Sequence, residues 1–211
     1  MAGRVITVAQ QKGGSGKTTV AVNLAVALRG RGVSVALLDT DPQGSMGRWY
    51  LERLERRGED EALEFGTSSA WGASYESEKL RKRFDYVIID TPPKIDSDLR
   101  PALRVADLVV VPVATSQVDL WATEGVLDLA RREKCDTLIV LNRTRANTRL
   151  TGDVAQGAAD LGADVAAAQL ANRVAYAESL GLGQGAGELV RNATARAEIE
   201  ALLDEVLGRL G

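Results

Sequence analysis

From Val5 to Thr19 the chain runs Val-Ile-Thr-Val-Ala, then Gln10-Gln11-Lys12-Gly13-Gly14-Ser15-Gly16, then Lys17-Thr18-Thr19 at the head of a helical pattern. A strand that feeds a glycine-rich loop and then a helix leaves few folds open. The strand's apolar run is almost unbroken, as in a strand covered on both faces of a sheet. Gly13, Gly14 and Gly16 allow backbone conformations that a Cβ would forbid, so the loop amides can turn inward around an anion. The helix that follows points its positive end at the same place. Lys17 is spaced to reach the β- and γ-phosphates of a nucleotide, and the Thr18 hydroxyl to ligate Mg²⁺. A turn that merely joins strand to helix would not need the Lys-Thr pair at that spacing.

The rest of the chain repeats the strand–helix rhythm. Short β-branched runs at 4–9, 33–38, 85–89, 108–112 and 137–141, with a weaker one at 164–168, alternate with helical patterns at 17–29, 46–57, 99–105, 119–133, 151–161 and 194–210. This predicts an α/β fold, doubly wound, with a mainly parallel sheet flanked by helices. Residues 58–77 fade into Glu, Gly and Ser and read as an irregular connection; Gly181, Gly183, Gly185 and Gly187 mark a second loop. No linker or repeat interrupts the 211 residues, so a single domain over 1–211 is expected.

Composition removes several chemistries. There is no histidine, which excludes a Ser-His-Asp triad and any His-ligated metal. Cys135 stands alone, so no internal disulfide or thiolate cluster can form, in keeping with a reducing cytoplasm. A net charge of −3 gives no global attraction to nucleic acid or anionic lipid, so such binding would need a local basic patch. No apolar run approaches the roughly 20 residues of a membrane-spanning helix.

Two acidic strand ends extend the phosphate-loop reading. Leu38-Asp39-Thr40-Asp41-Pro42 and Tyr86-Val87-Ile88-Ile89-Asp90-Thr91-Pro92-Pro93 each close an apolar run with a carboxylate on the ligand side of an open α/β sheet. The second has the layout of a Walker B strand, with Asp90 facing Mg²⁺ directly or through its water.

The loop also departs from the generic pattern. That pattern has glycine five positions before Gly16, where this chain has Gln11, and a second lysine, Lys12, opens the loop. Lys-Gly-Gly-Ser-Gly-Lys-Thr-Thr resembles the deviant Walker A motif of the ParA/MinD ATPases, and the chain looks most like the short, ParF-like members. The resemblance covers nearly the whole chain, least at 58–75, and includes Leu170-Ala171-Asn172-Arg173-Val174-Ala175-Tyr176.

What the resemblance implies is specific. Lys12, Gly13, Gly14, Ser15, Gly16, Lys17, Thr18 and Thr19 would bind ATP. Lys12 would reach across a homodimer to the partner's nucleotide, as an arginine finger does. Asp41 would orient the attacking water, making Lys12, Lys17 and Asp41 the catalytic set; Thr18, Asp39 and Asp90 would serve Mg²⁺. Residues 91–94 would form a second switch, with Lys94 where the family often has a small residue. Asn142 resembles the asparagine placed on adenine, and no Asn-Lys-x-Asp motif argues for guanine.

Such proteins hydrolyse ATP slowly, as dimers stimulated by a ParB-like or unrelated adaptor. When ATP-bound they coat the nucleoid through DNA binding without sequence preference, and their cargo is a plasmid, chromosome, chemoreceptor cluster or microcompartment. The first strand starts at Arg4, so the N-terminal helix-turn-helix of larger relatives is expected to be absent. Arg143, Arg145, Arg149, Arg173, Arg191 and Arg196 are the cationic material for DNA phosphates. A MinD-like, membrane-bound switch is the main alternative. It calls for a basic amphipathic C-terminal helix, whereas the tail carries Glu198, Glu200, Asp204 and Glu205 against Arg209. An iron–sulfur relative would need a cysteine pair per chain, and Cys135 has no mate.

Overall fold

Alternate residues of the central strands face opposite helical layers, and that alternation builds the molecule. The computed structural model describes residues 2–93, 98–145 and 148–211. Its strands are β1 (Arg4–Val8), β2 (Val35–Asp39), β3 (Leu63–Thr67), β4 (Tyr86–Asp90), β5 (Leu108–Ala114), β6 (Thr137–Thr144), β7 (Asp164–Val165) and β8 (Leu170–Ala171). All pair in parallel in the order β3-β2-β4-β1-β5-β6-β7, with β8 also on β6. The helices are α1 (Lys17–Gly30), α2 (Ser45–Arg57), α3 (Ala73–Leu80), α4 (Arg100–Arg104), α5 (Gln117–Glu133), α6 (Arg149–Asp160), α7 (Val174–Gly181) and α8 (Ala193–Leu210). The doubly wound parallel sheet expected from the sequence is the fold observed.

In β5, Leu108 and Val110 pack with α1 and α8, whereas Val109, Val111 and Val113 pack with α4, α5 and α6. A separate cluster joins Val5, Leu38 and Ile89 to Ala73 and Leu80 of α3. α1 is buried almost all round from Val20 to Leu28, because the sheet covers one side and α8 another. That explains an apolar stretch too uniform for a surface helix. α8 in turn buries Ile199, Leu202, Leu203, Val206 and Leu210. Among the described residues no helix is long and apolar enough to cross a membrane.

The segment read as irregular holds β3 and α3. Leu63 is buried and Phe65 stacks on Tyr50 with ring centroids 5.1 Å apart, but the rest of β3 is half-exposed, as fits an edge strand. Only Ala73, Ser77 and Leu80 of α3 are buried, too few to print a periodicity. The sixth expected strand shrinks to β7, and β8 resumes pairing on the same side of β6 after a gap. In that gap the amides of Ala167 and Ala168 donate to the Glu205 carboxylate at 2.9 and 2.6 Å. α7 was also unanticipated.

Candidate phosphate-binding site

β4 and β5 flank β1 on opposite sides, so the chain leaves the carboxyl end of β1 where a crevice opens. The loop after β1 occupies it. Gly14 and Gly16 adopt left-handed backbone (φ +78° and +97°), and a Cβ on Gly16 would lie 2.1 Å from Asn142 Nδ2. Gln10 anchors the loop's start: its Nε2 donates to Thr123 Oγ1 at 2.9 Å, and its Oε1 accepts the Gln11 amide at 2.8 Å. Gly13, Gly14, Gly16, Lys17, Thr18 and Thr19 line a cavity of about 590 Å³, with Asp41, Arg48 and Trp49 opposite.

Lys17 is 6% exposed; burial lowers its pKa, and the negative charges of Asp90 and Asp41 oppose that. Asp39 and Asp90 sit side by side in register at the ends of β2 and β4. The Thr18 hydroxyl donates to Asp90 Oδ2 at 2.6 Å. Asp90 Oδ1, Asp39 Oδ2 and Ser15 Oγ are buried without a hydrogen-bond partner. Burial pushes the Asp90 carboxyl up to about 7; Thr18 and Lys17 resist and Asp39 reinforces the rise. Burial likewise raises Asp39, against amides of Asp41, Gly47 and Met46.

Two desolvated carboxylates with orphaned oxygens fit a hard divalent cation. Among the described residues no group of three or more acidic or cysteine side chains could cage an ion, so phosphate oxygens and water would have to complete its shell. Thr18, Asp39 and Asp90 are thus brought together. Asp41 follows, half-exposed: its amide donates to Asp39 Oδ1 at 2.9 Å and its own Oδ1 accepts the Gln43 amide at 3.0 Å.

The other sequence-derived residues are placed less simply. Lys12 is outside the cavity lining; its Nζ donates to Asp119 Oδ2 at 2.7 Å, at the start of α5. Ser116, which caps α5, donates to the same oxygen. Asn142 is 4% exposed, gives one N–H to Ser15 O at 2.8 Å, and accepts the Arg143 amide at 2.8 Å. It therefore braces the loop from beneath, and one N–H and one lone pair remain for a base in an adjoining cavity of about 310 Å³.

The six arginines do not share one surface. Arg173 is bound to Glu198 at 2.6 Å and Arg149 pairs with Asp153 at 3.7 Å. Arg196 donates to Gly187 O at the far end of α1, in a cavity with Arg29 and Arg31. Arg143 lines the phosphate cavity itself; Arg145 and Arg191 are exposed. Lys94 lies outside the described residues. Sequence reasoning missed Asp119, Arg48 and Trp49, none of which belongs to a spaced motif, while Gln43 lies in the segment that follows Asp41.

A left-handed glycine loop with a buried lysine behind it, and a hydroxyl held on a strand-end acid, defines a P-loop nucleotide-binding domain. The chain belongs to the CobQ/CobB/MinD/ParA nucleotide binding domain family, whose model matches residues 6–186. Maintenance of carboxysome distribution protein A of Halothiobacillus neapolitanus is 29% identical over 209 residues, covering 96% of this chain and 95% of that protein. The chromosome-partitioning ATPase Soj of Thermus thermophilus is 38% identical over 151 residues, 60% of this chain and 59% of Soj. The fold superposes on a Cyanothece McdA variant bound to ATP with a TM-score of 0.82, at 18% identity, over 99% of this chain and 97% of that one. The cell division ATPase MinD of Pyrococcus furiosus gives 0.81 at 20% identity, over 98% and 99%.

Proposed function

We infer that this chain is a switch ATPase: it closes into a homodimer on ATP, binds DNA without sequence preference in that state, and reopens when an adaptor stimulates slow hydrolysis, thereby positioning a cargo. The observation that carries this reading is Lys12. Lys12 opens the phosphate loop, yet its ammonium is held on Asp119 away from its own cavity lining, a placement that suits it to a partner's phosphates.

Within one subunit, the loop amides and Lys17 bind the triphosphate and hold charge against its β–γ end. Thr18, Asp39 and Asp90 would hold Mg²⁺, which neutralises phosphate charge when bound. Asp41 is pinned by its backbone to Asp39, and its Oδ2 is left to orient water for in-line attack. Asn142 keeps the loop in shape from below.

Mixing Lys12→Ala with Asp41→Ala subunits tests the dimer. The heterodimer has one site with its own Asp41 and a Lys12 from the partner, and it should recover ATPase activity that both homodimers lack. Heterodimers that form without recovery would show that Lys12 serves its own subunit, and the reading would fall.

A protein-assembly cargo is favoured over a chromosome, because the carboxysome-distribution relative aligns along 95% of its length and Soj along 59%. Deleting the gene should scatter such an assembly while chromosome segregation stays normal. The MinD-like membrane reading is disfavoured by α8. Its apolar residues face the core, and Glu198, Glu200 and Glu205 are engaged by Arg173, Arg31 and the 167–168 amides.

A further inference from the structure

We propose that Arg143 contacts the nucleotide itself, placing its guanidinium where the α-phosphate meets the ribose; this rests on the ATP-binding reading above. The backbone supplies the first reason. Arg143 has φ +55° in the left-handed region, one of two described non-glycine residues with positive φ, and the pairing of β6 with β8 shifts register between Asn142 and Thr144. Arg143 is therefore the bulged residue of β6. Its amide is taken by Asn142 Oδ1 at 2.8 Å and its carbonyl accepts from Thr115 Oγ1 at 3.4 Å, so the bend is held from both sides. A bulge re-aims a side chain at the cost of an unfavourable backbone, which persists when the surroundings enforce it.

The second reason is where the bulge delivers the side chain. Thr19, Arg143 and Leu180 line both the 590 Å³ phosphate cavity and the adjoining 310 Å³ cavity beside Asn142 and Tyr176. A ligand with its polyphosphate in the first and its base in the second must cross this junction with its α-phosphate and ribose. The junction thus presents a hydroxyl, a leucine and one cation.

Charge supplies the third reason. Among the described residues the Arg143 guanidinium makes no ion pair or side-chain hydrogen bond, while Arg173, in the same second cavity, is held by Glu198 and Lys12 by Asp119. The loop motif assigns Lys17 to the β–γ end of a bound nucleotide. A planar guanidinium can bind a phosphate through two parallel N–H groups, and Arg143 is the cation that lines both cavities, whereas Lys17 and Arg48 line the first alone and Arg173 the second alone.

The deletion to make is Arg143→Gly, since glycine accepts the left-handed backbone that alanine would strain. Calorimetric titration of wild type, Arg143→Gly, Arg143→Lys and Lys17→Ala would use Mg·ATP, Mg·ADP and inorganic pyrophosphate with Mg²⁺. Arg143→Gly should bind ATP and ADP at least about tenfold more weakly. Pyrophosphate, which can lie on Lys17 and the loop amides without an α-phosphate or ribose at the junction, should bind within twofold of wild type, and Arg143→Lys should recover part of the loss.

Nucleotide affinities unchanged in Arg143→Gly would overturn the proposal while leaving the ATPase reading intact. So would an equal loss for pyrophosphate, which would mark a field or folding effect. Retained nucleotide binding with lost DNA binding at saturating ATP would assign Arg143 to DNA instead. Wild type that binds no nucleotide would remove both readings together.

Discussion

Asp90 uses its two carboxylate oxygens unequally: Oδ2 takes the Thr18 hydroxyl and Oδ1 is buried with nothing. Its pKa, raised to about 7 mainly by burial, means that the nucleotide-free fold binds a proton there more tightly than the unfolded chain does. The stabilisation is then complete below the ordinary carboxylate range and is lost as pH rises through about 7; Asp39 shifts in the same direction. The nucleotide-free protein should accordingly resist urea better near pH 5 than near pH 8, with the gap reduced in Asp90→Asn. Binding of Mg·ADP at pH 6.5 should also expel protons. Calorimetry in buffers of different ionisation enthalpy would read this as release by wild type in excess of Asp90→Asn, and equal release by both would contradict the assignment.

α2 shows how the element that follows Asp41 is fixed. Trp49 Nε1 donates to Gln184 O at 3.1 Å, Arg53 Nη1 to Gly183 O at 3.0 Å, and Arg53 pairs with Glu188 at 2.9 Å. Gly183 has φ +62°, and a Cβ there would lie 2.3 Å from the Arg53 amide nitrogen. Gly183→Ala should cost about 2 kcal/mol or more and lower Tm by roughly 5 °C or more, read by calorimetric melting; an unchanged Tm would mean α2 is not seated as described. None of this clamp could be read from the sequence, because its partners are 130 and more residues apart and meet through backbone carbonyls. The central strands, α1 and the phosphate loop were legible, since burial on two faces and a fixed motif both print themselves locally. β3, α3 and α7 were not: three or fewer buried residues per element leave no period to detect. Asn142 shows the same limit at the site, as its motif position suggested a base and its side chain also holds Ser15.

For the whole molecule the expected behaviour is a concentration- and nucleotide-dependent change of assembly. Asp41→Ala should bind ATP yet hardly turn it over, because a group that orients water acts on the chemical step more than on ground-state binding. Light scattering after size exclusion should show a persistent ATP dimer, and a monomer, or wild-type turnover, would contradict the role. DNA binding should require ATP and fall steeply with salt, the logarithm of affinity dropping with a slope of roughly −0.9 per phosphate neutralised. Arg145, Arg149 and Arg191, exposed on each subunit, are candidate contributors, and a gel shift that ignored nucleotide would refute the model. If the proposed accumulation on DNA holds, the protein also faces a hazard unrelated to its chemistry, since exposed sheet edges invite strands of neighbouring molecules. Here the β7/β8 edge offers two residues, a gap whose amides Glu205 already holds, and two residues more. Such an edge is a poor template for intermolecular β-pairing, so on this side of the sheet dense local accumulation can stay reversible rather than pass into aggregate.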